Sequence, residues 1–561
     1  MKRIQRVRGG KALGVIAVLM ATSLVAACTS SADSEDSEES LGGERGLEAN
    51  EITYLEPQFF RTLYPPAAGF YPNGAVVNQI TDRLLYQDPE TLELSPWIAT
   101  DLPEINEDAT EFTFDIRTDV TYSDGTPLTA ENVVRNIDLY GQGDDERLLN
   151  VSEQISNYDR GEVVDEDTVK FYFSVPSPGF EQAVSSFNAG LLADSTLDLD
   201  NEGFAPGNAE AVIGSGPFVI DGERLGTDLH LSAREDYDWA PPAHEHQGRA
   251  RLDGINYVLA AEESMRTGAI TSDQVQIVRQ VSAPQEPHLE AAGLNVISRG
   301  TNGMNNQLAF RFNHWPFNEK AVREAVIHGV DREQIIHVLF SESYPLATST
   351  MAATALGYKD QSAAYTFDPE LSKRLLDDAG WEVGSDGIRV KDGKQLSVTA
   401  KLAMPQPRSR EVITMVQEQL SEIGVEVRLN SGDQATQDAD SKDPNKIQLD
   451  HTMVGRADYD VIKSLYSVNN RDSFINQDED GNVLDQHLED LLSKVVSTAG
   501  DERRAAATAE VQHYVTEQAY ALPLFEEPVV YAVQPYLKGF NPEAIGRPSF
   551  YGAWIDHEEA Q

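Results

Sequence analysis

Residues that could perform catalysis are few in this 561-residue chain. Ser215 lies in a glycine-rich turn, but Ile213 stands where a nucleophile elbow of the form Gly-x-Ser-x-Gly needs its first glycine. The sequence contains no His-Glu-x-x-His zinc motif and no Gly-x-x-x-x-Gly-Lys-Ser/Thr phosphate loop. These absences predict a protein that is not an enzyme. A secreted hydrolase is the alternative, and it would need a catalytic pocket that no motif marks.

Two patterns resemble metal sites. His244-Glu245-His246 follows a proline-rich loop, and two histidines alone do not complete a zinc site. The segment 476–481 (Asn-Gln-Asp-Glu-Asp-Gly) resembles the start of a calcium loop, but its twelfth position is His487 instead of the bidentate glutamate. We therefore expect a solvated acidic turn at 476–481, no metal site and no cofactor.

The only cysteine, Cys28, ends an N-terminal segment with the layout of a secretory signal. Its start is basic without an acidic residue, at Lys2, Arg3, Arg6, Arg8 and Lys11. An apolar stretch at 12–27 follows, shorter than the roughly 20 apolar residues of a membrane span, and ends in small residues before Cys28. The segment resembles a bacterial lipobox, which implies cleavage behind Ala27 and acylation of Cys28. The alternatives are a soluble secreted protein cleaved nearby and a coincidental cysteine.

Residues 28–49 are rich in serine and acidic side chains and poor in large apolar ones. Such a segment cannot bury enough apolar area to offset its ordering entropy, so it predicts a tether. The whole chain carries 92 acidic against 44 basic residues, for a net charge of −48. This balance argues against nucleic-acid binding, which needs a basic face. A solubilising surface or a saline habitat would explain it equally well.

Alternating apolar residues predict strands at 51–56, 111–117, 169–175, 394–401 and 425–429. Apolar residues at helical spacing predict helices at 75–85, 318–329 and 409–423, and the residues at 71–74 are typical of a turn. Thr129, Asp331 and Asp368 stand at N-cap positions. Mixed elements in this order indicate an α/β architecture of two or three domains.

Several sequence blocks occur together along the chain. They are 85–99, 112–117, 122–133 (Tyr-Ser-Asp-Gly-Thr-Pro-Leu-Thr-Ala-Glu-Asn-Val), 213–218 (Ile-Gly-Ser-Gly-Pro-Phe), 308–313, 316–317, 321–326, 367–381 and 522–525 (Leu-Pro-Leu-Phe). In their residues and order they resemble the peptide/nickel-type solute-binding proteins of ABC importers, family 5. The resemblance covers the chain from about residue 50 to its end.

The resemblance implies a two-lobed periplasmic-binding-protein-like α/β fold with a hinge, and a small extra α/β domain inserted in the first lobe. The expected division is signal peptide 1–27, lipoprotein tether 28–49, first lobe 50–85, inserted domain 86–205, first lobe 206–306, second lobe 307–525 and first-lobe return 526–561. The turn at 214–217 either brings backbone N–H groups near a ligand or forms a strained entry into a strand.

The resemblance also suggests ligand contacts. Peptide binders of this type often carry Ala-Asp-Tyr near the cleft edge of the second lobe, where the aspartate holds the peptide ammonium. Asp458 matches that position, and its neighbours Arg456 and Tyr459 are predicted ligand contacts with it. This chain departs from the pattern at Gly455 and Thr452, where the peptide binders usually have tryptophan and arginine.

Two further segments supply candidates. The segment after the first strand tends to line the cleft in this family, and here it contains Glu56, Phe59 and Tyr71. Asn302 and Asn305 precede the expected crossing strand, where they could bind polar ligand groups or cap turns.

The predicted function is capture of a peptide or peptide-like solute in an interlobe cleft and delivery to an ABC permease. We expect a monomer outside the cytoplasm, lipid-anchored to the cell membrane, in a periplasm or on the outer face of the cytoplasmic membrane. The alternatives within the fold are a ligand-sensing protein and a receptor for metal chelates or siderophore-type compounds.

Overall fold

The computed structural model describes residues 50–403, 406, 408–468, 475–478 and 481–560. The predicted signal segment, Cys28 and the tether lie outside the described residues, as do positions 479–480 of the acidic turn. Over the described ranges, no helix is both long enough and apolar enough to cross a bilayer.

The first lobe is built on a sheet that has seven strands among the described residues. In spatial order they are Asn295–Gly300, Pro528–Val533, Ile277–Arg279, Glu51–Glu56, Gly254–Leu259, Asp228–Ala233 and Phe218–Arg224. The predicted strand Glu51–Glu56 is central and pairs in parallel with both neighbours. Five of its six residues are buried, as expected for a strand covered on both faces.

The second lobe is built on a sheet with five strands in the described part of the chain. They are, in spatial order, Glu426–Leu429, Ser397–Lys401, Leu449–Val454, Met304–Phe310 and Ala521–Phe525. The strand Met304–Phe310 is buried along its whole length, and it pairs antiparallel with a neighbour on each side.

Two short segments carry the chain between these sheets. Residues 301–303 connect the strand Asn295–Gly300 to Met304–Phe310, and residues 526–527 connect Ala521–Phe525 to Pro528–Val533. We call them the crossing segments. Because each is only two or three residues long, the edges of both sheets are held close to the same place.

A smaller antiparallel sheet comes from the region predicted as an inserted domain. Its described strands are Glu104–Ile105, Glu111–Asp115, Thr168–Phe173 and Tyr158–Val163. The helix Ala130–Gln142 contacts it. Its apolar residues join those of the first lobe in one continuous core, so the boundaries at 86 and 205 stay predictions.

Elsewhere in the described chain, short strands form three separate small sheets: Leu85–Gln87 with Leu94–Pro96, Glu382–Val383 with Arg389–Lys391 and Lys394–Gln395, and Leu537–Lys538 with Trp554–Ile555. The α-helices are Tyr71–Ile80, Ala130–Gln142, Phe180–Ala183, Asp194–Leu197, Glu263–Thr271, Glu286–Ala291, Lys320–Gly329, Arg332–Leu339, Pro369–Asp378, Ser409–Ser421, Gln434–Asp440, Lys463–Tyr466, Gln486–Ser497 and Asp501–Glu517. Single 3₁₀ turns occur at Pro65–Ala67, Glu153–Ile155, Phe187–Ala189, Ala209–Ala211, Ser362–Ala364, Tyr459–Ile462 and Ala544–Gly546.

The predicted N-caps are confirmed. Thr129, Asp331 and Asp368 each accept a hydrogen bond from the backbone N–H three residues later. Asp331 and Gln334 have the spacing of a capping box, but the Asp331 N–H donates to the Gln419 side chain at 3.0 Å instead of to Gln334.

Two local predictions need correction. The helix predicted at 75–85 is Tyr71–Ile80, because Pro72 occupies its first turn, where proline costs no hydrogen bond. The glycines at 214–217 do not adopt left-handed backbone angles. They serve close packing instead: a Cβ on Gly214 would lie 1.9 Å from the Ile80 carbonyl oxygen.

Candidate functional site

A cavity of about 600 Å³ lies where the two lobes and the crossing segments meet. This volume is within the usual range of small-ligand pockets. The first lobe contributes Tyr71, Arg83, Arg279 and Arg547, and the smaller-sheet region contributes 152–154 and 182–188. The second lobe contributes Tyr344, Gln406 and 453–457, and the crossing segments contribute Thr301 and Glu527.

Tyr71 lies between two arginines in the first-lobe wall. The guanidinium carbon of Arg279 is 3.8 Å from the ring centroid, and that of Arg547 is 4.3 Å away. The Tyr71 hydroxyl donates to the Gly546 carbonyl at 2.7 Å and contacts the Tyr531 hydroxyl. The aromatic ring thus fixes both cations by cation–π attraction.

Arg279 is neutralised by a carboxylate that lies behind the wall. Its Nε donates to Glu56 at 2.9 Å, and Tyr54 donates to the same carboxylate at 2.6 Å. Arg83 is likewise paired, with Glu543 at 3.1 Å. Because opposite charges already satisfy them, neither arginine needs a charged ligand.

Arg547 has a different environment. Its guanidinium is buried, donates to the Gly69 carbonyl at 2.7 Å and stacks 4.9 Å from the Phe187 ring. Within the described residues no carboxylate pairs with it, and its Nε has no hydrogen-bond acceptor. Burial, with the neighbouring Arg279 charge, lowers the pKa of Arg547. Gly74 makes room for it, since a Cβ there would lie 2.7 Å from the Arg547 Nε.

Glu527 is the acidic counterpart, on a crossing segment. It is buried and accepts a hydrogen bond from the Asn306 amide, and no described cation forms an ion pair with it. Burial raises the pKa of Glu527 to about 8. Its neighbour Glu526 instead accepts from the Ala353 N–H at 2.9 Å, which ties that carboxylate to the scaffold.

Arg456 is the cation that the second lobe brings to the cavity. Its Nε lies 2.7 Å from the Asp458 carboxylate, and its Nη1 lies 3.4 Å from Glu153 of the smaller-sheet region. Asp458 also accepts from the Gln154 amide at 3.1 Å. These contacts join the two sides of the cleft.

Two of the residues predicted to contact a ligand line the cavity: Tyr71 and Arg456. Glu56 and Asp458 do not line it, but each pairs with an arginine that does. Asp458 borders a separate cavity of about 20 Å³, room for roughly one water molecule.

The other predicted residues have roles in packing. Phe59 packs against Phe60 on the first-lobe core, and Tyr459 belongs to a second-lobe core. Asn302 accepts from the Ile545 N–H at 2.8 Å, and Asn305 donates to the Ser349 carbonyl at 2.9 Å. Asn302 thereby holds the turn Ala544–Gly546 next to Arg547.

The sequence analysis missed Arg279, Arg547 and Glu527. One signal was present for Glu527: the adjacent acids at 526–527 interrupt an otherwise apolar stretch at 521–533. Nothing in the local pattern distinguishes Arg547 from any other arginine near a turn.

The histidines of 244–246 are engaged in packing and hydrogen bonding. The His244 ring lies 4.9 Å from Tyr86 and 5.6 Å from Tyr551, and His246 is 2.7 Å from the Arg249 carbonyl. In the part of the chain that the structure describes, no three His, Cys, Asp or Glu side chains are grouped to hold a metal ion.

The sequence matches a known protein family and individual proteins of known binding function. The family model described as bacterial extracellular solute-binding proteins, family 5 Middle, matches residues 93–472, more than half of the chain. A glutathione-binding protein, GsiB of Escherichia coli K12, is 21% identical over 537 residues, 94% of this chain and 95% of that protein. An oligopeptide-binding protein, OppA of Mycobacterium tuberculosis, is 24% identical over 463 residues, 77% of this chain and 72% of that protein.

Solved structures share the fold. NikA of Brucella suis, in complex with Fe(III)-EDTA, superposes with a TM-score of 0.77 at 22% identity and covers 90% of this chain and 100% of its own. AppA of Bacillus subtilis, in complex with a nonapeptide, superposes with a TM-score of 0.71 at 17% identity, over 90% of this chain and 98% of its own. The two-lobed α/β architecture predicted from the sequence is confirmed.

Proposed function

This chain belongs to the bacterial extracellular solute-binding proteins of family 5, and from that membership we propose that it is the lipid-anchored receptor of an ABC importer for a peptide or peptide-like solute. The observation that carries the proposal is the cavity of about 600 Å³ walled by both lobes. A ligand there is enclosed when the lobes close on it and released to a permease when they open.

The nature of the solute is inferred from two sources. The relatives named above bind glutathione and oligopeptides. The cavity wall of this chain presents arginines and glutamates, which suit the charged ends of such molecules.

Among the predicted site residues, we place Tyr71 and Arg456 in contact with the solute. Asp458 and Glu56 act behind them, each holding the guanidinium of a wall arginine in place. Phe59, Tyr459, Asn302 and Asn305 support the wall through packing and backbone hydrogen bonds.

Uptake tests the proposal directly. Cells lacking this protein should fail to accumulate the solute that mass spectrometry identifies in the purified protein, and plasmid-borne protein should restore uptake. If the purified protein holds a solute whose uptake is unchanged in the deletion strain, the importer role is wrong and a sensing role is favoured.

The anchor has its own test. Cys28→Ser should move the protein from the membrane fraction to the soluble extracytoplasmic fraction, because the acylated thiol is lost. Ser30→Ala, two positions further along the chain, is the matched control because it leaves the thiol in place. A Cys28→Ser protein that stays with the membrane would contradict a lipid anchor.

A further inference from the structure

The charged groups of the cavity wall do not all cancel. Arg83 pairs with Glu543, and Arg456 pairs with Glu153 and Asp458. Arg279 pairs with Glu56 behind the wall. When these ion pairs are set aside, the wall has two ionisable side chains without a described ionic partner: Arg547 and Glu527.

Arg547 is built to receive an anion. A buried guanidinium without a counter-charge destabilises the folded protein. The chain has an excess of acidic residues, yet none of the described ones is placed beside Arg547. Here the Tyr71 and Phe187 rings and the Gly69 carbonyl fix the group, and the absence of a side chain at Gly74 lets the Arg547 Nε pack against the helix Tyr71–Ile80. A planar guanidinium held in this way matches the geometry of a carboxylate.

Glu527 is built to receive a hydrogen-bond donor or a cation. Among the described residues its carboxylate has one hydrogen-bond donor, the Asn306 amide, and a carboxylate can accept several hydrogen bonds. It lies on a crossing segment, where its backbone carbonyl accepts from Thr301 at 3.2 Å. The acid is therefore fixed at the junction of the lobes.

We propose that the cavity recognises a dipolar solute with a free carboxylate and a free amine, the carboxylate binding Arg547 and the protonated amine binding Glu527. Free amino-acid derivatives and short peptides with unblocked ends are this class of molecule. The inference deepens the proposed function and rests on it.

This arrangement differs from the one the family resemblance implies for Asp458. The Asp458 carboxylate lies 2.7 Å from the Arg456 Nε, accepts from Gln154 and does not line the large cavity. A ligand amine would have to displace Arg456 to reach it. At Glu527 no described cation has to be displaced.

The test uses a defined library of di- and tripeptides in three forms: free at both ends, N-acetylated, and C-amidated. Binding to the full-length protein is read by native mass spectrometry and by thermal shift, after resident solute has been removed by unfolding and refolding. We expect members of the free library to bind, and their acetylated and amidated forms to bind roughly 30-fold or more weakly, since each lacks one partner of a desolvated charge pair.

Two variants test which residue binds which end of the peptide. Arg547→Gln should bind the amidated and free forms of a peptide about equally, and Glu527→Gln should bind the acetylated and free forms about equally. Arg135→Gln and Glu370→Gln are matched controls, because both remove charges from exposed surface ion pairs. The capped and free peptides are also compared on the wild-type protein. That comparison stays valid even if a variant fails to fold.

The outcomes are distinct. Capped forms that bind as tightly as the free form, or a free library without a binder, would overturn the dipolar assignment. If the protein nevertheless holds a solute that it imports, the proposed function stands and this inference alone fails. If it binds and imports nothing, the proposed function itself fails.

Discussion

At the residue scale, the site depends on which charges the protein leaves uncompensated. Arg279 and Arg547 flank the same tyrosine ring, yet Glu56 neutralises only the first. The second is then available to a ligand. One carboxylate placed next to one of two similar arginines thus decides which of them can recognise an anion.

The pKa of Glu527, raised to about 8 by burial, predicts proton-linked binding. In the empty cavity at pH 7 the carboxyl is mostly protonated, and an ammonium needs it ionised. Affinity for a free-terminus peptide should therefore fall as the pH drops below 8, by up to about tenfold per unit. Above pH 8 the peptide amine, whose pKa is about 8, loses its own proton.

Calorimetry at pH 6, 7 and 8 in buffers of different ionisation enthalpy checks this. Wild type should release close to one proton per peptide at pH 7, and Glu527→Gln should release about none. The titratable neighbour Tyr344 stays uncharged in this range, because burial raises its pKa further above the ordinary value. Equal proton release by both proteins would contradict the role of Glu527.

At the element scale, a helix and a turn position Arg547. The helix Tyr71–Ile80 supplies the stacking ring of Tyr71 and the space at Gly74, and the turn Ala544–Gly546 leads into the arginine. Asn302 ties that turn to a crossing segment. The anion subsite is thus connected to the segment about which the lobes would move.

Gly74→Ala should displace Arg547, because the added methyl would lie 2.7 Å from its Nε and 2.8 Å from the Ala68 carbonyl oxygen. Overpacking of this kind costs about 1–3 kcal/mol of stability. We expect a lower melting temperature and loss of discrimination between free and amidated peptides. Gly268→Ala is the control: it lies within the helix Glu263–Thr271 with no atom in the way, so it should be neutral or stabilising.

Contacts between the smaller-sheet region and the second lobe form a second element-scale feature. Ser464 donates to Glu153 at 3.0 Å, and Arg504 donates to the Pro178 carbonyl and to Gln182 at 3.3 Å and 3.1 Å. These hydrogen bonds span the cleft. They therefore stabilise the packing of the smaller-sheet region against the second lobe.

Ser464→Ala should weaken peptide binding by about tenfold, because closure then lacks a hydrogen bond to a charged group. Ser464 does not line the cavity, so a direct ligand contact is not removed. Ser497→Ala, which removes only an exposed hydrogen bond within a helix of the same lobe, is the control. An unchanged dissociation constant for Ser464→Ala would show that this contact does not contribute to closure.

At the scale of the whole molecule, two short crossing segments join the lobes around the cavity. Small-angle scattering should show a radius of gyration that decreases when a binding free-terminus peptide is added, because the solute bridges the lobes. The Glu527→Gln variant at the same peptide concentration should stay at the larger value. An identical profile with and without peptide, under conditions where calorimetry shows saturation, would contradict hinge closure.

The sequence by itself determined what depends on neighbours a few residues apart. The N-caps at Thr129, Asp331 and Asp368 each need a donor three residues later, and alternation located the strand Glu51–Glu56, although its burial on both faces comes from the fold. The order of the sequence blocks, read as a resemblance, predicted the family and the two-lobed fold. The start of the helix at Tyr71 was missed because the same proline and glycine residues also occur in turns.

Only the tertiary structure decided which charges are compensated. Glu56 and Arg279 are 223 positions apart, and Arg83 and Glu543 are 460 apart, so no local pattern links them. Asp458 and Arg547 look equally available in the sequence, yet folding places an arginine beside the first and no described carboxylate beside the second. Ion pairing acts through space and depends on burial, and both are set by how distant elements pack.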